Sequence, residues 1–199
     1  ITTGDRNTFI GYGSGVANST GVYNTFVGSH TGTAHTVGYN NVAVGTGAFA
    51  SDVSSRACVA IGSGALAAQN SGTNVNAYNT AVGFAAGEAV NTGVKNTIIG
   101  GLAADAMTSG QNNVFVGYAA AGAGVVTGSS NIGIGVAALG PLTSGANNIA
   151  IGEDAGPGIT SGSNNMCLGH DAGRAGSPGG GLTTSSDSIR VGDENVTNC

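Results

Sequence analysis

The chain has no tryptophan, five phenylalanines and five tyrosines in 199 residues, with three prolines and only 8% charged residues. Average proteins carry about 25% charged residues. Large side chains are too few for a conventional globular core. Yet the mean hydropathy is positive, so the chain lacks the low hydrophobicity and high charge that keep a segment disordered. Small residues must therefore be buried in a regular, close-packed way. Basic residues number five against ten acidic ones, a net charge of −5, which argues against a nucleic-acid footprint. No apolar run approaches the ~18 residues of a spanning helix, so no membrane insertion is expected. Cysteines are also scarce: Cys58, Cys167 and Cys199 are too few for a disulfide scaffold. The start at Ile1, with no signal peptide, suggests a mature product or a fragment.

What the chain has is glycine, 38 residues of 199, and repetition. NTFIG ends at Gly11, NTFVG at Gly28, NVAVG at Gly45, CVAIG at Gly62 and NTAVG at Gly83. NTIIG, NVFVG, NIGIG, NIAIG and NMCLG follow, ending at Gly100, Gly117, Gly135, Gly152 and Gly169, and SIRVG closes the series at Gly192. The glycines of these eleven repeats are spaced 17, 17, 17, 21, 17, 17, 18, 17, 17 and 23 residues apart. A fixed short period is the signature of a solenoid, each repeat being one unit that buries its apolar face only by stacking on neighbours.

The columns specify the unit. The residue before the closing glycine is Val, Ile or Leu throughout, and the residue two earlier is Thr, Val or Ile except at Met166. Two apart, these columns share one face of a strand, and β-branched side chains suit a pleated surface. The middle column (Phe9, Phe26, Ala43, Ala60, Ala81, Ile98, Phe115, Gly133, Ala150, Cys167, Arg190) faces the other way and is mostly apolar too. A strand apolar on both faces is buried on both: one face fills the coil, the other meets another chain or another part of the coil. Three residues before the Asn column stands a glycine, as at Gly21, Gly110 and Gly145, usually after Ser or Thr. Here glycine is expected to supply positive φ in a turn. After each strand come small residues such as Ala85-Ala86-Gly87, a second, close-packed return segment. The expected fold is all-β: a β-solenoid of about eleven coils over residues 1–192, about 50 Å long at 4.8 Å per coil, with 193–199 a tail or junction. Asn7, Asn24, Asn41, Asn79, Asn96, Asn113, Asn131, Asn148 and Asn165 would stack as an amide ladder or serve as turn-formers. Collagen is excluded because glycine does not recur at every third position. A polyglycine-helix sandwich would need dense glycine runs like Gly179–Gly181 throughout.

The segments Asn40–Gly45, Asn112–Gly117 and Asn147–Gly152, each with a paired Asn before an apolar strand, resemble the head repeats of trimeric autotransporter adhesins. They resemble still more the repeats of bacteriophage tail fibres, with a TSG-x-NN turn before each strand. Asp187–Gly192 is similar to the junction that precedes a C-terminal chaperone in many such fibres. The resemblance covers Gly4 to Gly192. It implies an obligate homotrimer of left-handed parallel β-rolls on a virion or cell surface. The chain departs from the adhesin heads in its longer repeat and in Cys58, which stands where Asn is expected.

No catalytic constellation is present. His30 and His35 are poorly spaced for a metal, His170 is remote, and all three are expected at the surface. Gly133-Ile-Gly135 lacks the following helix of a dinucleotide fingerprint, so no cofactor is expected. Asp154 and Asp171 share a column one coil apart, as do Glu88 and Asp105, and these pairs are cation candidates, Ca²⁺ in particular, or solvated edge residues. Cys58 and Cys167, six coils apart, are expected to be buried thiols, while Cys199 could bridge chains. The longer spacings after Gly62 and Gly169 place insertions on the surface, where solenoids often bind. Asn70, Thr73, Asn74, Tyr78 and Arg174 are the candidate contacts to a surface glycan or protein receptor, and Tyr12, Phe84 and Tyr118, each just after a strand, are further exposed candidates. These features point to a non-enzymatic extracellular or virion-surface fibre, a tail-fibre shaft or head or an adhesin, that mediates host attachment. A self-assembling extracellular filament and an ice-binding solenoid are the alternatives. The ice reading is disfavoured by interrupted Thr columns that read as inward-facing. A polysaccharide-cleaving spike would need paired carboxylates in a groove on larger coils.

Overall fold

The computed structural model describes residues 4–73, 75–176 and 180–193. Eleven strands of three residues each form one parallel sheet in sequential order. They are β1 (Thr8–Ile10), β2 (Thr25–Val27), β3 (Val42–Val44), β4 (Val59–Ile61), β5 (Thr80–Val82) and β6 (Thr97–Ile99), then β7 (Val114–Val116), β8 (Ile132–Ile134), β9 (Ile149–Ile151), β10 (Met166–Leu168) and β11 (Ile189–Val191). Register is strict: Phe9 lies opposite Phe26, Ala43 opposite Ala60, and Ile98 opposite Phe115. The chain is thus a β-solenoid, with each repeat contributing one strand to the wall.

The middle column faces inward. Phe26, Ala43, Ala60, Ala81, Ile98, Phe115, Ala150 and Cys167 are fully buried. The flanking columns point away from the coil and are exposed or half-buried in every strand. The Thr column is therefore outward-facing, a correction to the inward reading. Alternation alone could not decide it, because both faces are apolar.

Opposite the sheet runs the return segment. The second and fourth residues after each strand glycine from Gly11 to Gly169 have positive φ, as in Leu102 (57°) and Ala104 (45°), or Ala137 (52°) and Leu139 (54°). This alternation of positive φ with ordinary backbone turns successive amides in opposite directions. The Leu102 N–H donates back one coil to Phe84 O at 2.8 Å, and the Ala104 N–H donates forward to Ala120 O at 2.8 Å. Positive φ at a non-glycine residue costs about 1–2 kcal/mol. Hydrogen bonds to the coils on both sides hold the ribbon in it.

The coil interior is narrow, and its two walls compensate in volume. Phe9 and Phe26 face Gly15 and Gly32, where a Cβ would fall within 2.7 and 2.5 Å of the ring. Ala43 and Ala60 belong to the coils of Phe49 and Leu66, both buried. Gly133 is close to Leu139, whose Cδ1 lies 3.5 Å from a built Cβ. Close-packed interiors respond to single methylenes. Ala43→Phe alone is expected to destabilise by about 1–3 kcal/mol through overpacking. Adding Phe49→Gly reproduces the Phe26/Gly32 pairing and should recover most of that loss in urea unfolding. No recovery in the double variant would refute the compensation.

The turn before each strand differs from expectation. The glycines three before the Asn column, such as Gly21, Gly110 and Gly145, are absent from the positive-φ residues. They are glycine because of close approach: a Cβ on Gly110 would lie 2.6 Å from Gly128 O and 2.8 Å from Asn113 Nδ2. Positive φ falls instead on the residue just before the Asn column, at 50–62° from Arg6 through Tyr78 to Asp187. Asn tolerates that region better than most residues, which accounts for the first Asn of the pairs at Asn40, Asn112, Asn147 and Asn164.

The second Asn of each pair is buried. Asn96 illustrates the bonding: its Nδ2 donates to Gly110 O (2.9 Å) and to Asn79 Oδ1 (3.2 Å), and its Oδ1 accepts the Asn113 N–H (2.9 Å). Asn131, Asn148 and Asn165 repeat the pattern, and the first rung runs from Asn24 N–H to Asn7 Oδ1 at 2.9 Å. Each amide joins three successive coils. The ladder stops at Cys58, which takes Asn41 Oδ1 through its own N–H at 3.0 Å but has no side-chain amide to pass on. This break coincides with the spacing of 21 residues after Gly62.

Candidate functional site

Along the outer wall run two columns of Thr, Val, Ile, Met and Leu with no charged member. Val42, Ile61, Ile99, Ile134 and Ile151 are 37–43% exposed, and Ile10 and Ile189 at the ends more so. Beside them stand Tyr12 (79%), Phe84 (64%), Tyr118 (58%) and Val136 (46%). Purely parallel sheets are almost always covered on both faces. This one is covered on one.

Inside the coil, a third column follows the return ribbon. In the first four coils it is Asn18, His35, Asp52 and Gln69, and afterwards Val90, Met107, Val126, Leu142, Ile159 and Leu182, all buried. His35 is thus not a surface residue, unlike His30 and His170, which are exposed. Its Nδ1 meets Asp52 Oδ1 at 2.9 Å, its ring packs edge-on to Phe26, and Asn41 Nδ2 approaches its Nε2 at 3.5 Å. Asp52 Oδ1 also accepts the Ser55 N–H at 2.9 Å, whereas Asp52 Oδ2 and both amide atoms of Asn18 are buried with no hydrogen bond among the described residues. Gln69 is satisfied by Asn79 Nδ2 (2.6 Å) and Asn91 O (3.1 Å).

The carboxylate pairs sit where the columns put them. Glu88 is exposed and Asp105 half-buried. Asp154 is half-buried, and Asp171 is engaged by Arg174 at 2.6 Å and by His170 at 3.6 Å. Among the described residues no three His, Cys, Asp or Glu side chains converge as a metal-binding group.

Cys58 and Cys167 are buried free thiols. Burial pushes Cys58 up to about 12 and Cys167 up to about 11. Thiolate is the reactive form, so neither should react with iodoacetamide at about pH 8 until the coil opens. Fast labelling of native protein at either position, mapped by mass spectrometry, would contradict this. The folded chain holds these protons more tightly than the unfolded one (usual value 9.0). Their contribution is intact below that value and is lost as pH rises through about 11–12. Cys199 lies outside the described residues.

The two insertions do not meet: they follow β4 and β10, about 29 Å apart at the strand spacing. In the first, Asn70, Thr73 and Tyr78 are exposed, and Asn74 lies outside the described residues. Tyr78 holds a φ of 50°, as its whole column does. In the second, exposed Arg174 borders an open cleft of about 350 Å³ together with Pro157, Gly158, Ala175, Gly181 and Thr183. Sequence reasoning missed the cleft and the buried polar column. Setting His35 beside Val90 and Met107 would have revealed the column. The chain matches no family model, no curated protein and no solved structure.

Proposed function

We propose that the chain is a non-enzymatic extracellular fibre protein, the shaft or head of a phage tail fibre or surface adhesin, which assembles as a homotrimer and attaches its bearer to a host cell. The observation that carries this reading is the uncharged apolar face running the length of the sheet. Ten strand steps of about 4.8 Å give a strip ~48 Å long. Three residues at ~3.3 Å make it ~10 Å wide, on the order of 480 Å² against the ~800 Å² per partner of a standard interface, and Tyr12, Phe84 and Tyr118 extend it in a column that also carries Glu153 and His170. Identical copies meeting in register bring each column against itself. Without charges in the two strand columns, they do so without like-charge repulsion. The repeat's resemblance to fibre and adhesin heads supports the extracellular setting.

Light scattering on the eluting protein tests this: a mass of three chains is expected. Ile61→Lys with Ile99→Lys should yield single chains that keep their circular dichroism, since both side chains already border solvent. A single-chain mass for the unmodified protein at tens of micromolar removes the reading. Continuous rods in electron micrographs would favour the filament alternative.

One observation favours a second reading. Thr8, Thr25, Thr80 and Thr97 point outward in one column of the sheet, and an ice-binding surface requires an outward Thr array. Thermal hysteresis in a freezing assay decides it, and its absence leaves the fibre reading alone.

A further inference from the structure

We infer that the corner leading into the sheet in the first six coils, formed by Arg6, Tyr23, Tyr39, Arg56, Tyr78 and Lys95, binds an acidic polysaccharide laid along the rod. The inference rests on the attachment reading above and names its receptor chemistry. Three observations converge there.

The first is where the scarce residues fall. In the coils of β1 to β6 the two positions before the Asn column are Asp5-Arg6, Val22-Tyr23, Tyr39-Asn40, Arg56-Ala57, Ala77-Tyr78 and Val94-Lys95. The whole chain has five basic residues and five tyrosines. These two columns take Arg6, Arg56 and Lys95 of the one kind and Tyr23, Tyr39 and Tyr78 of the other, with Asp5 their one acid. In the coils of β7 to β10 the same positions read Gln111-Asn112, Ser129-Ser130, Ala146-Asn147 and Ser163-Asn164, with neither charge nor ring. A chain of net charge −5 thus gathers most of its positive charge on one short strip.

The second is backbone conformation. The position just before the Asn column has a φ of 56° at Arg6, 59° at Tyr23, 50° at Tyr78 and 61° at Lys95. Asparagine is among the residues that best tolerate this region, and it holds the position at Asn112, Asn147 and Asn164. Arg, Tyr and Lys stand there against the backbone's preference, with their side chains exposed. A sparsely populated φ kept by ill-suited residues points to a role outside folding.

The third is order. The Ala57 N–H donates to Tyr39 O at 3.2 Å and the Lys95 N–H to Ala77 O at 2.6 Å, so the corner stacks in step with the sheet at ~4.8 Å per coil. The Arg6 guanidinium lies over the Tyr23 ring at 5.2 Å and that of Arg56 over the Tyr39 ring at 4.5 Å, and Arg6 Nη1 also donates to the Tyr23 hydroxyl. Aromatic rings hold cations in place without neutralising them. Among the described residues no carboxylate pairs with Arg6 or Lys95.

The cations stand three coils and then two coils apart, ~14 and ~10 Å, with phenol hydroxyls, ring faces and the Asn40 amide between them. That pattern fits a polymer with sparse anions separated by hydroxyl-rich rings. A nucleic acid, charged at every nucleotide, calls for denser cations.

The test is titration calorimetry of the full chain with hyaluronate, heparin, neutral dextran and single-stranded DNA at low and moderate salt. An acidic polysaccharide should bind and dextran should not, with affinity falling as salt rises. Hyaluronate alone would mark a carboxylate as the recognised anion, heparin alone a sulfate. Arg6→Asn with Lys95→Asn should weaken binding about tenfold and leave melting unchanged or raised, since asparagine suits the local φ. Tyr23→Asn with Tyr78→Asn should act in the same way. Val16→Asp with Val125→Asp, at two exposed positions outside the corner, shifts net charge equally and should bind like the unmodified chain. No binding to either acidic polysaccharide, equal binding of dextran, a preference for DNA, full binding by the asparagine variants or an equal loss in the aspartate control overturns the site. A three-chain mass with no polysaccharide binding would remove this inference and leave the fibre reading standing, whereas a single-chain mass with binding at the corner would do the reverse.

Discussion

His35→Leu is expected to destabilise the protein by about 3–5 kcal/mol, while His35→Leu combined with Asp52→Leu should be neutral or stabilising by about 1–4 kcal/mol. The imidazole is the partner of Asp52 Oδ1 in a fully buried pair. Removing it alone leaves a carboxyl group with one oxygen already orphaned and the other relying on the Ser55 N–H. Removing both partners takes the whole desolvation cost away. Leucine and isoleucine already fill the same column at Leu142, Ile159 and Leu182. Urea unfolding of the four proteins in the cycle, at one protein concentration because assembly contributes to stability, measures the coupling. A double variant as unstable as the sum of the singles would show that the pair is not the source of the cost.

The other large effect lies in the ladder. In Asn131→Ala, the amide that donates to Gly145 O at 2.9 Å and accepts the Asn148 N–H at 3.0 Å is lost. Two backbone groups are then left unsatisfied. Each costs about 1–3 kcal/mol, and the missing side chain adds a cavity, for a total of about 3–5 kcal/mol. Stacked repeats behave as a one-dimensional chain of nearest-neighbour interfaces. The lesion is therefore local to the β7–β9 coils, and one unfolding transition should divide into two, visible by circular dichroism. A single sharp transition at unchanged urea would mean that the amides are not what couples the coils. Asn147→Ala removes an exposed side chain at a φ of 58°, where alanine is less well tolerated than asparagine, and should be milder.

The period, the strand positions and the small-residue return were legible because each is a local pattern repeated many times. The inward face of the strand was less so. Val-Ala-Val at β3 is apolar throughout, and what decides the matter is the return wall, where Phe49 fills the space that Ala43 leaves and Gly32 yields to Phe26. That compensation is written in the sequence, but only in two columns compared side by side. The turn glycines were misread because glycine serves two needs, positive φ and close approach, and a sequence does not distinguish them. Gly110 meets the second need, while Asn112 supplies the positive φ. His35 read as a surface residue because a lone histidine in a loop carries no pattern of its own. The insertion after Gly169 was visible as a spacing. The cleft lined by Pro157, Arg174 and Thr183 depends on how neighbouring coils stack rather than on residue types.

The division of the inner column into polar and apolar stretches also bears on how the chain is made. The ribosome releases the coils of Asn18, His35, Asp52 and Gln69 first. They bury the least apolar surface in that column and leave atoms of Asn18 and Asp52 without a hydrogen bond among the described residues, so their closure rests on the two walls, on Phe26, Phe49 and Leu66 above all. The coils of Val90 and Met107, which follow, are the first in which both walls and the inner column are apolar. A stack that starts there reaches the amino-terminal coils last, and their amides should exchange with solvent sooner than those of β5 to β10.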